Sequence, residues 1–242
     1  MKNEVGVARD ITGSLRAEIV GNPDDINGPL YAINWFDTRL AFVYHFYNLL
    51  AAARVFRVGA RVMFKGKCKQ TISGDSELAR QFLLIVNYPS GTKFMDLLAD
   101  RFFQLTSVFR IMAVKQFSFV FHKRREIHGT PEPGKPFDSN DCYALLHIDG
   151  SDDRTFDDRL AELDDIAASH QVEIFFAGSG TGQVVLVDKS GKRDPMPFIT
   201  QSTVLFKTAD PQLMAQLFDS AAMQEFLAAV PGHFVSYIKR TM

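Results

Sequence analysis

Asn34, Trp35, Tyr44 and His45 lie close together in the chain and combine an amide, an indole, a phenol and an imidazole. An imidazole is the commonest proton carrier near neutral pH, and amide and phenol groups can hydrogen-bond an oxygen on which charge develops. Such a set could hydrogen-bond a small bound molecule and steady charge that develops on one of its oxygens. Two features limit the reading. Asn34 and Trp35 are adjacent, and neighbours on an extended strand point to opposite faces, so a single pocket cannot use both. His45 sits in a strongly apolar run, where a core imidazole bonded to a backbone carbonyl is the commoner arrangement.

Other segments invite chemistry and fall to simpler readings. Gly178-Ser-Gly-Thr-Gly182 has the composition of a phosphate loop, but Gln183-Val-Val-Leu-Val187 follows it, which forms a strand rather than the required helix. A hairpin turn is expected there. Lys115-Gln-Phe-Ser-Phe-Val-Phe-His122 resembles an aromatic RNA-binding strand, yet it lacks the glycines that let bases approach. No nucleic-acid partner is expected. His122 and His128 flank Lys123-Arg-Arg125 without another ligand at helical or hairpin spacing, so a solvated basic linker is expected rather than a metal centre. Asp152, Asp153, Asp157, Asp158, Glu162, Asp164 and Asp165 suit the outer face of a helix whose N-terminus favours negative charge, and need no metal.

The elements that must position these groups follow from periodicity and breakers. Tyr31 to Phe36 is a short aromatic and β-branched run, predicted as a strand. Asp37 and Thr38 offer capping oxygens, and Arg39 to Val58 predicts a helix apolar nearly all round, stopped by Gly59. Strands are predicted at Arg61–Lys69 and Phe82–Tyr88, one helix at Thr92–Met112, and a strand at Gln116–His122. Residues 126–141 are rich in proline and glycine and form the expected linker between domains at 30–125 and 142–242, after an N-terminal arm of residues 1–29. The order then recurs. Strand Tyr143–Ile148 and helix Asp152–Ser169 come first, and Val172–Ala177 with Gln183–Asp188 forms a hairpin. Strand Thr203–Thr208, helix Pro211–Val230 and strand His233–Ile238 complete the unit. Tyr31-Ala32 with Asp37 parallels Tyr143-Ala144 with Asp149, and Met95, Leu98 and Asp100 parallel Met214, Leu217 and Asp219. The chain is thus expected to be α+β, two tandem ferredoxin-like β-α-β-β-α-β units. In the second copy His147 takes the place of Trp35, and Tyr237 lies on the last strand; both are ligand-binding candidates.

Composition bounds the rest. The chain has 22 phenylalanines against a single tryptophan, which calls for a thick core or a roomy apolar cavity. Two cysteines, Cys68 and Cys142, make neither a disulfide framework nor a metal knuckle, and a reducing cytoplasm is the expected location. The first 29 residues lack the apolar stretch of a signal peptide. The run Leu40–Ala53 falls short of the roughly 20 residues a bilayer requires, so a buried core helix is expected and no membrane span. Up to Arg125 there are 18 Lys and Arg against 10 Asp and Glu, or +8; the remainder has 9 against 18, or −9. Opposite signs suit halves that face one another, within a chain or between chains. The third and fourth strands are apolar on both faces, so both faces should be covered.

Two ferredoxin-like units meeting sheet to sheet is the plan of the dimeric α+β barrel superfamily. The stretch Leu84-Ile-Val-Asn-Tyr-Pro-Ser-Gly-Thr-Lys-Phe-Met-Asp-Leu-Leu98 resembles the strand-to-helix junction of its domain-of-unknown-function 1330 family. The likeness covers roughly Tyr31 to Arg124, and the second copy departs from it at Thr208-Ala-Asp-Pro211. The resemblance implies a pocket between sheet and helices, lined by an Asn, a Trp and in some relatives a His or Tyr. It makes Asn34, Tyr44 and His45 catalytic candidates and Trp35 a ligand-binding one. It implies a small apolar or aromatic ligand, with binding alone or a cofactor-free oxygenation or cyclisation of the kind found in secondary metabolism, and a possible homodimer. No cofactor is called for: some relatives hold haem through one histidine, but nothing marks His170 as that ligand. The competing reading is a non-catalytic assembly module. A pocket needs polar groups converging on apolar space, whereas an interface module needs only a packed core.

Overall fold

The structure is a computed structural model that describes residues 4–9, 15–20, 27–74, 79–125, 140–148, 156–181, 184–188, 202–230 and 232–241. In chain order the elements are β1 (Glu4–Arg9), β2 (Leu15–Val20), β3 (Leu30–Thr38), α1 (Ala41–Arg57), β4 (Arg61–Ser73) and β5 (Phe82–Tyr88). Then come α2 (Gly91–Ala99), α3 (Arg101–Ala113), β6 (Val114–Arg124), β7 (Cys142–Ile148), α4 (Phe156–Ser169) and β8 (Glu173–Gly180). The chain ends with β9 (Val184–Asp188), β10 (Ser202–Thr208), α5 (Pro211–Asp219), α6 (Ala221–Ala229) and β11 (His233–Arg240). They divide into two compact units that interleave in sequence: residues 1–63, 80–123 and 181–195, and residues 64–79, 124–180 and 196–242.

In the first unit β3 is the central strand of an antiparallel sheet, pairing Asn34 with Leu84 of β5 on one side and with Phe119 of β6 on the other. Strand alternation sends Leu30, Ala32 and Phe36 toward the helices, into a core with Tyr44, Tyr47, Phe94, Leu97, Phe103 and Phe121. Tyr31, Ile33 and Trp35 point the other way and are also buried. Both faces of this sheet are covered, as the doubly apolar strands predict. A separate sheet in this unit has the order β1-β2-β9.

In the second unit the sheet order is β8-β10-β7-β11, and β11 pairs onward with the Gly66–Ser73 part of β4. Ala144, Leu146 and Ile148 face a helix-covered core with Leu160, Leu163, Met214, Leu217 and Phe226. Tyr143, Leu145 and His147 occupy the opposite, equally buried face.

The sequence reading needs several corrections. Residues 92–112 form two helices, because Asp100 has extended backbone and caps the second, accepting from the Phe103 amide at 2.8 Å. The second unit breaks its helix in the same way: Ser220 caps α6, accepting from the Met223 amide at 3.2 Å. A glutamine four residues beyond each cap reaches back across the break, Gln104 to the Leu98 carbonyl at 2.9 Å and Gln224 to the Phe218 carbonyl at 2.6 Å. These landmarks align Phe94 with Met214, Leu97 with Leu217 and Asp100 with Ser220, one residue away from the pairing read off the sequence. Asp37 and Thr38 do not cap α1, whose N-cap is Leu40 without a side-chain bond; they engage Gln81 instead. β9 pairs with β2 and not with β8, so the expected hairpin is absent. Gly178 to Gly180 continues β8, with Gly178 opposite Thr203, and is not a turn. Part of the N-terminal arm is strand, β1 and β2. Residues 126–139 of the expected linker, with His128, lie outside the described residues, as do Asp149 and residues 150–155.

Candidate functional site

The helix-facing side of the first unit's sheet holds the one arrangement in which sequence candidates come together. Asn34 is 9 % exposed, on the same face of β3 as Ala32 and Phe36. Its side-chain nitrogen lies 3.2 Å from the Ala32 carbonyl and 3.2 Å from the Leu84 carbonyl. Carbonyl oxygens only accept, so both amide N–H groups are engaged and the side-chain oxygen is left as an acceptor. Tyr44, one turn into α1, enters the same layer with its ring 5.0 Å from that of Phe36.

Two more phenols share this layer. Tyr47, three residues on and therefore on the same helical face, stands 6.0 Å from Tyr44 between ring centroids. Tyr88, at the end of β5, packs edge-on against Phe94 at 5.2 Å and Phe121 at 5.9 Å. Burial pushes all three hydroxyls above the usual phenol range, and Tyr47 adds to the effect on Tyr44 and Tyr88. A side-chain hydrogen bond with Asn48, and then Arg110, pull Tyr44 back in part, and Arg110 does the same to Tyr47. The three therefore stay protonated at neutral pH, as donors rather than bases. A pair of tyrosines at i and i+3 is the available sequence signal for Tyr47; for Tyr88 it is its place in the Leu84–Leu98 stretch that carries the family resemblance.

The remaining candidates are elsewhere. Trp35 is fully buried on the opposite face of β3. His45 is exposed on the outer side of α1, because the apolar run of that helix covers more than the face that meets the sheet. In the second unit His147 is buried on the face away from the helices, 3.0 Å from the Thr203 hydroxyl and stacked on Phe234 at 6.4 Å. Burial holds its imidazole down, at about 3. Tyr237 lies on the other face, against the helix-covered core, so it does not converge with His147. His170 closes α4, with Nδ1 2.9 Å from the Ile166 carbonyl. Phe119 and Phe121 of the aromatic strand pack on Phe94, at 5.3 and 4.9 Å, and are not displayed for bases. Among the described residues no three His, Cys, Asp or Glu gather as a metal set.

The second unit carries a polar cluster the sequence did not announce. Arg240 donates to the Tyr143 hydroxyl at 3.0 Å and lies over the rings of Phe64, Tyr143 and Phe175 at 5.6 to 5.8 Å. Lys207 pairs with Asp141 at 3.3 Å nearby. The Tyr143 hydroxyl in turn donates to Asp141 at 3.4 Å, which links the two cations through one carboxylate.

No protein-family profile matches the chain, and no curated protein matches it. Solved structures do. A candidate monooxygenase from Lactobacillus acidophilus matches at a TM-score of 0.53 and 11% identity, over 88% of this chain and 94% of that one. An anthrone oxidase-like protein matches at 0.54 and 14%, over 88% and 92%. A candidate monooxygenase from Fusobacterium nucleatum matches at 0.50 and 9%, over 89% and 93%. The likeness is one of fold. It is a mixed α+β fold, shared with structures of the dimeric α+β barrel kind. No described helix is long and apolar enough to cross a membrane.

Proposed function

We propose that the first unit binds a small, largely apolar or aromatic molecule bearing a hydroxyl, between its sheet and its helices. The observation that carries this is Asn34: a buried amide on the helix-facing side of β3, with its nitrogen committed to two backbone carbonyls and its oxygen left as an acceptor. A ligand hydroxyl would donate to that oxygen, while Tyr44, Tyr47 or Tyr88 would donate to a ligand carbonyl or phenolate. Trp35, His147 and Tyr237 stand outside this contact set, and His45 would reach a ligand only at the outer rim.

Oxidation of the bound molecule by dioxygen is the second reading, favoured by the fold shared with the anthrone oxidase-like protein. The buried tyrosines could hold an enolate but could not generate one, so the proton would leave from the substrate to water or to a residue at the rim. We also propose that the two units are copies of one ancestral unit, for which the matched caps and back-bonding glutamines of Asp100–Gln104 and Ser220–Gln224 speak. The two free cysteines suit a reducing compartment.

The test is native mass spectrometry of the purified full chain, followed by titration with 1,8-dihydroxyanthrone (the anthrone of the tests below), which carries both hydroxyls and a carbonyl, and with decalin as a hydroxyl-free, carbonyl-free control. Anthrone bound at micromolar concentration with decalin excluded supports the site. Equal binding of both, or of neither, counts against it. Oxygen uptake with anthrone in the same cell separates conversion from binding.

A further inference from the structure

The sequence predicts that the apolar run Leu40–Ala53 is buried, and half of it is not. Among the described residues every large hydrophobic side chain that is exposed belongs to two helices of the first unit or the residue leading into them: Leu40, Phe42, Phe46, Leu49 and Phe56 on one side, Phe102, Leu105, Val108 and Met112 on the other. Phe42 is 82 % exposed and Leu49 77 %. At roughly 200 Å² for a whole side chain, the exposed fractions amount to on the order of 1,000 Å² of apolar surface. The largest such patch on a typical monomer is about 300–600 Å². A stable dimer needs about 800 Å² from each partner, so this face alone meets that requirement.

Spacing identifies the kind of partner. On α1 the outward positions Phe42, Phe46, Leu49, Ala53 and Phe56 step by four, three, four and three residues, the rhythm of helices that pack on other helices. On α3, Phe102, Leu105, Phe109 and Met112 step by three, four and three. The two stripes are held side by side: Phe46 meets Phe109 edge-on at 5.2 Å, and Arg54 lies over the Phe102 ring at 4.8 Å while pairing with Asp100 at 3.7 Å. Neither helix contains an aspartate or glutamate. The exposed polar residues on the two stripes are His45, Arg57 and Arg101, few enough for a dry centre.

We infer that the α1–α3 face is the site where a second copy of this chain docks, two helices laid on two helices about a two-fold axis. An isologous contact buries the same patch on both partners, so one continuous apolar face is sufficient and no complementary surface is needed elsewhere. The inference does not depend on what the first unit binds.

Sedimentation equilibrium of the full chain between 1 and 100 µM tests it. The expected mass is twice 27.2 kDa. Leu49→Glu and Leu105→Glu, one on each helix, should each raise the dissociation constant at least about thirtyfold, the effect of removing a central anchor. Circular dichroism should be unchanged, since both side chains are already exposed in the single chain; if either variant fails to fold, Phe42→Ser is read in its place. A wild type that stays at 27.2 kDa at 100 µM overturns the inference, as does a dimer that survives the substitutions. A monomer that instead floats with phosphatidylcholine–phosphatidylglycerol vesicles overturns it in favour of a lipid surface.

Discussion

Asn34 donates from its side-chain amide to the carbonyl of Leu84, its register partner on the neighbouring strand, at 3.2 Å. A second donation goes to Ala32 on its own strand. Two backbone carbonyls thus fix which way the amide faces. Asn34→Leu removes both donors at nearly constant volume and should cost about 1–2 kcal/mol. Asn34→Asp should cost more, about 2–4 kcal/mol, because a buried carboxylate would face two acceptors. Urea unfolding at pH 7.5 gives the order. An Asp variant as stable as the Leu variant would mean that the amide is not oriented as described.

Tyr44 offers a cleaner probe of binding. Tyr44→Phe keeps the ring against Phe36 and deletes only the hydroxyl. If that hydroxyl donates to a ligand, affinity for anthrone should fall about three- to tenfold while the unfolding midpoint moves little. Isothermal titration beside thermal unfolding separates the two. Unchanged affinity would move the donor role to Tyr47 or Tyr88.

Much of this arrangement could be read from the residues themselves. Phe82–Tyr88 is a strand with the bounds the sequence suggests, since an apolar run ending at Pro89 leaves little choice. The opposite facing of Asn34 and Trp35 followed from strand alternation alone. The partner of β9 could not be read locally, because a run, a turn and a run favour the nearest pairing, and β2 lies far back in the chain. The break at Asp100 is masked because the residues on both sides of it are good helix formers; the cap followed by Gln104 is its signal. His45 lies exposed, against the expectation of a core imidazole, for a different reason. Apolar spacing reports that a helix face will be covered, and cannot say whether the cover comes from its own chain.

Gly59 and Gly74 both have positive φ, at 83° and 86°, yet alanine should be tolerated at only one. A Cβ on Gly59 would meet the side chain of Pro89 at 3.1 Å, which can give slightly. One on Gly74 would collide with the backbone carbonyl of His233. Gly59→Ala should cost about 1 kcal/mol, the ordinary penalty for left-handed backbone, and Gly74→Ala clearly more than 2 kcal/mol. Equal costs in chemical unfolding would show that the β4–β11 end relaxes around the methyl.

Trp35 reports on the other face of β3. Fully buried, it should emit well to the blue of a water-exposed indole and resist acrylamide. Because it points away from Asn34, Trp35→Phe should leave anthrone affinity within about twofold, an exposed-surface-sized effect, while Trp35→Ala should cost about 3–5 kcal/mol as a cavity. A large loss of affinity in the phenylalanine variant would place the ligand on the wrong side of the sheet for the function proposed.

The last prediction turns on His147, whose imidazole is held down to about 3 in the fold by burial. In the unfolded chain a histidine titrates near 6.5. Between those values the unfolded state takes up a proton that the folded state refuses. The stability linked to His147 is therefore complete above about pH 6.5 and declines as the pH falls toward 3, by up to about 1.4 kcal/mol per unit. His147→Gln can still hydrogen-bond the Thr203 hydroxyl but cannot titrate. The variant should start less stable at pH 7.5, for want of the ring on Phe234, and lose stability more slowly on the way to pH 4.5. His233, also held down by burial, contributes equally to both proteins and drops out of the difference. Urea midpoints of the two proteins at pH 7.5, 6.0, 5.0 and 4.5 should converge or cross. Parallel lines across that range would mean that the imidazole accepts a proton in place, and that the face of β7 carrying it is wetter than its burial indicates.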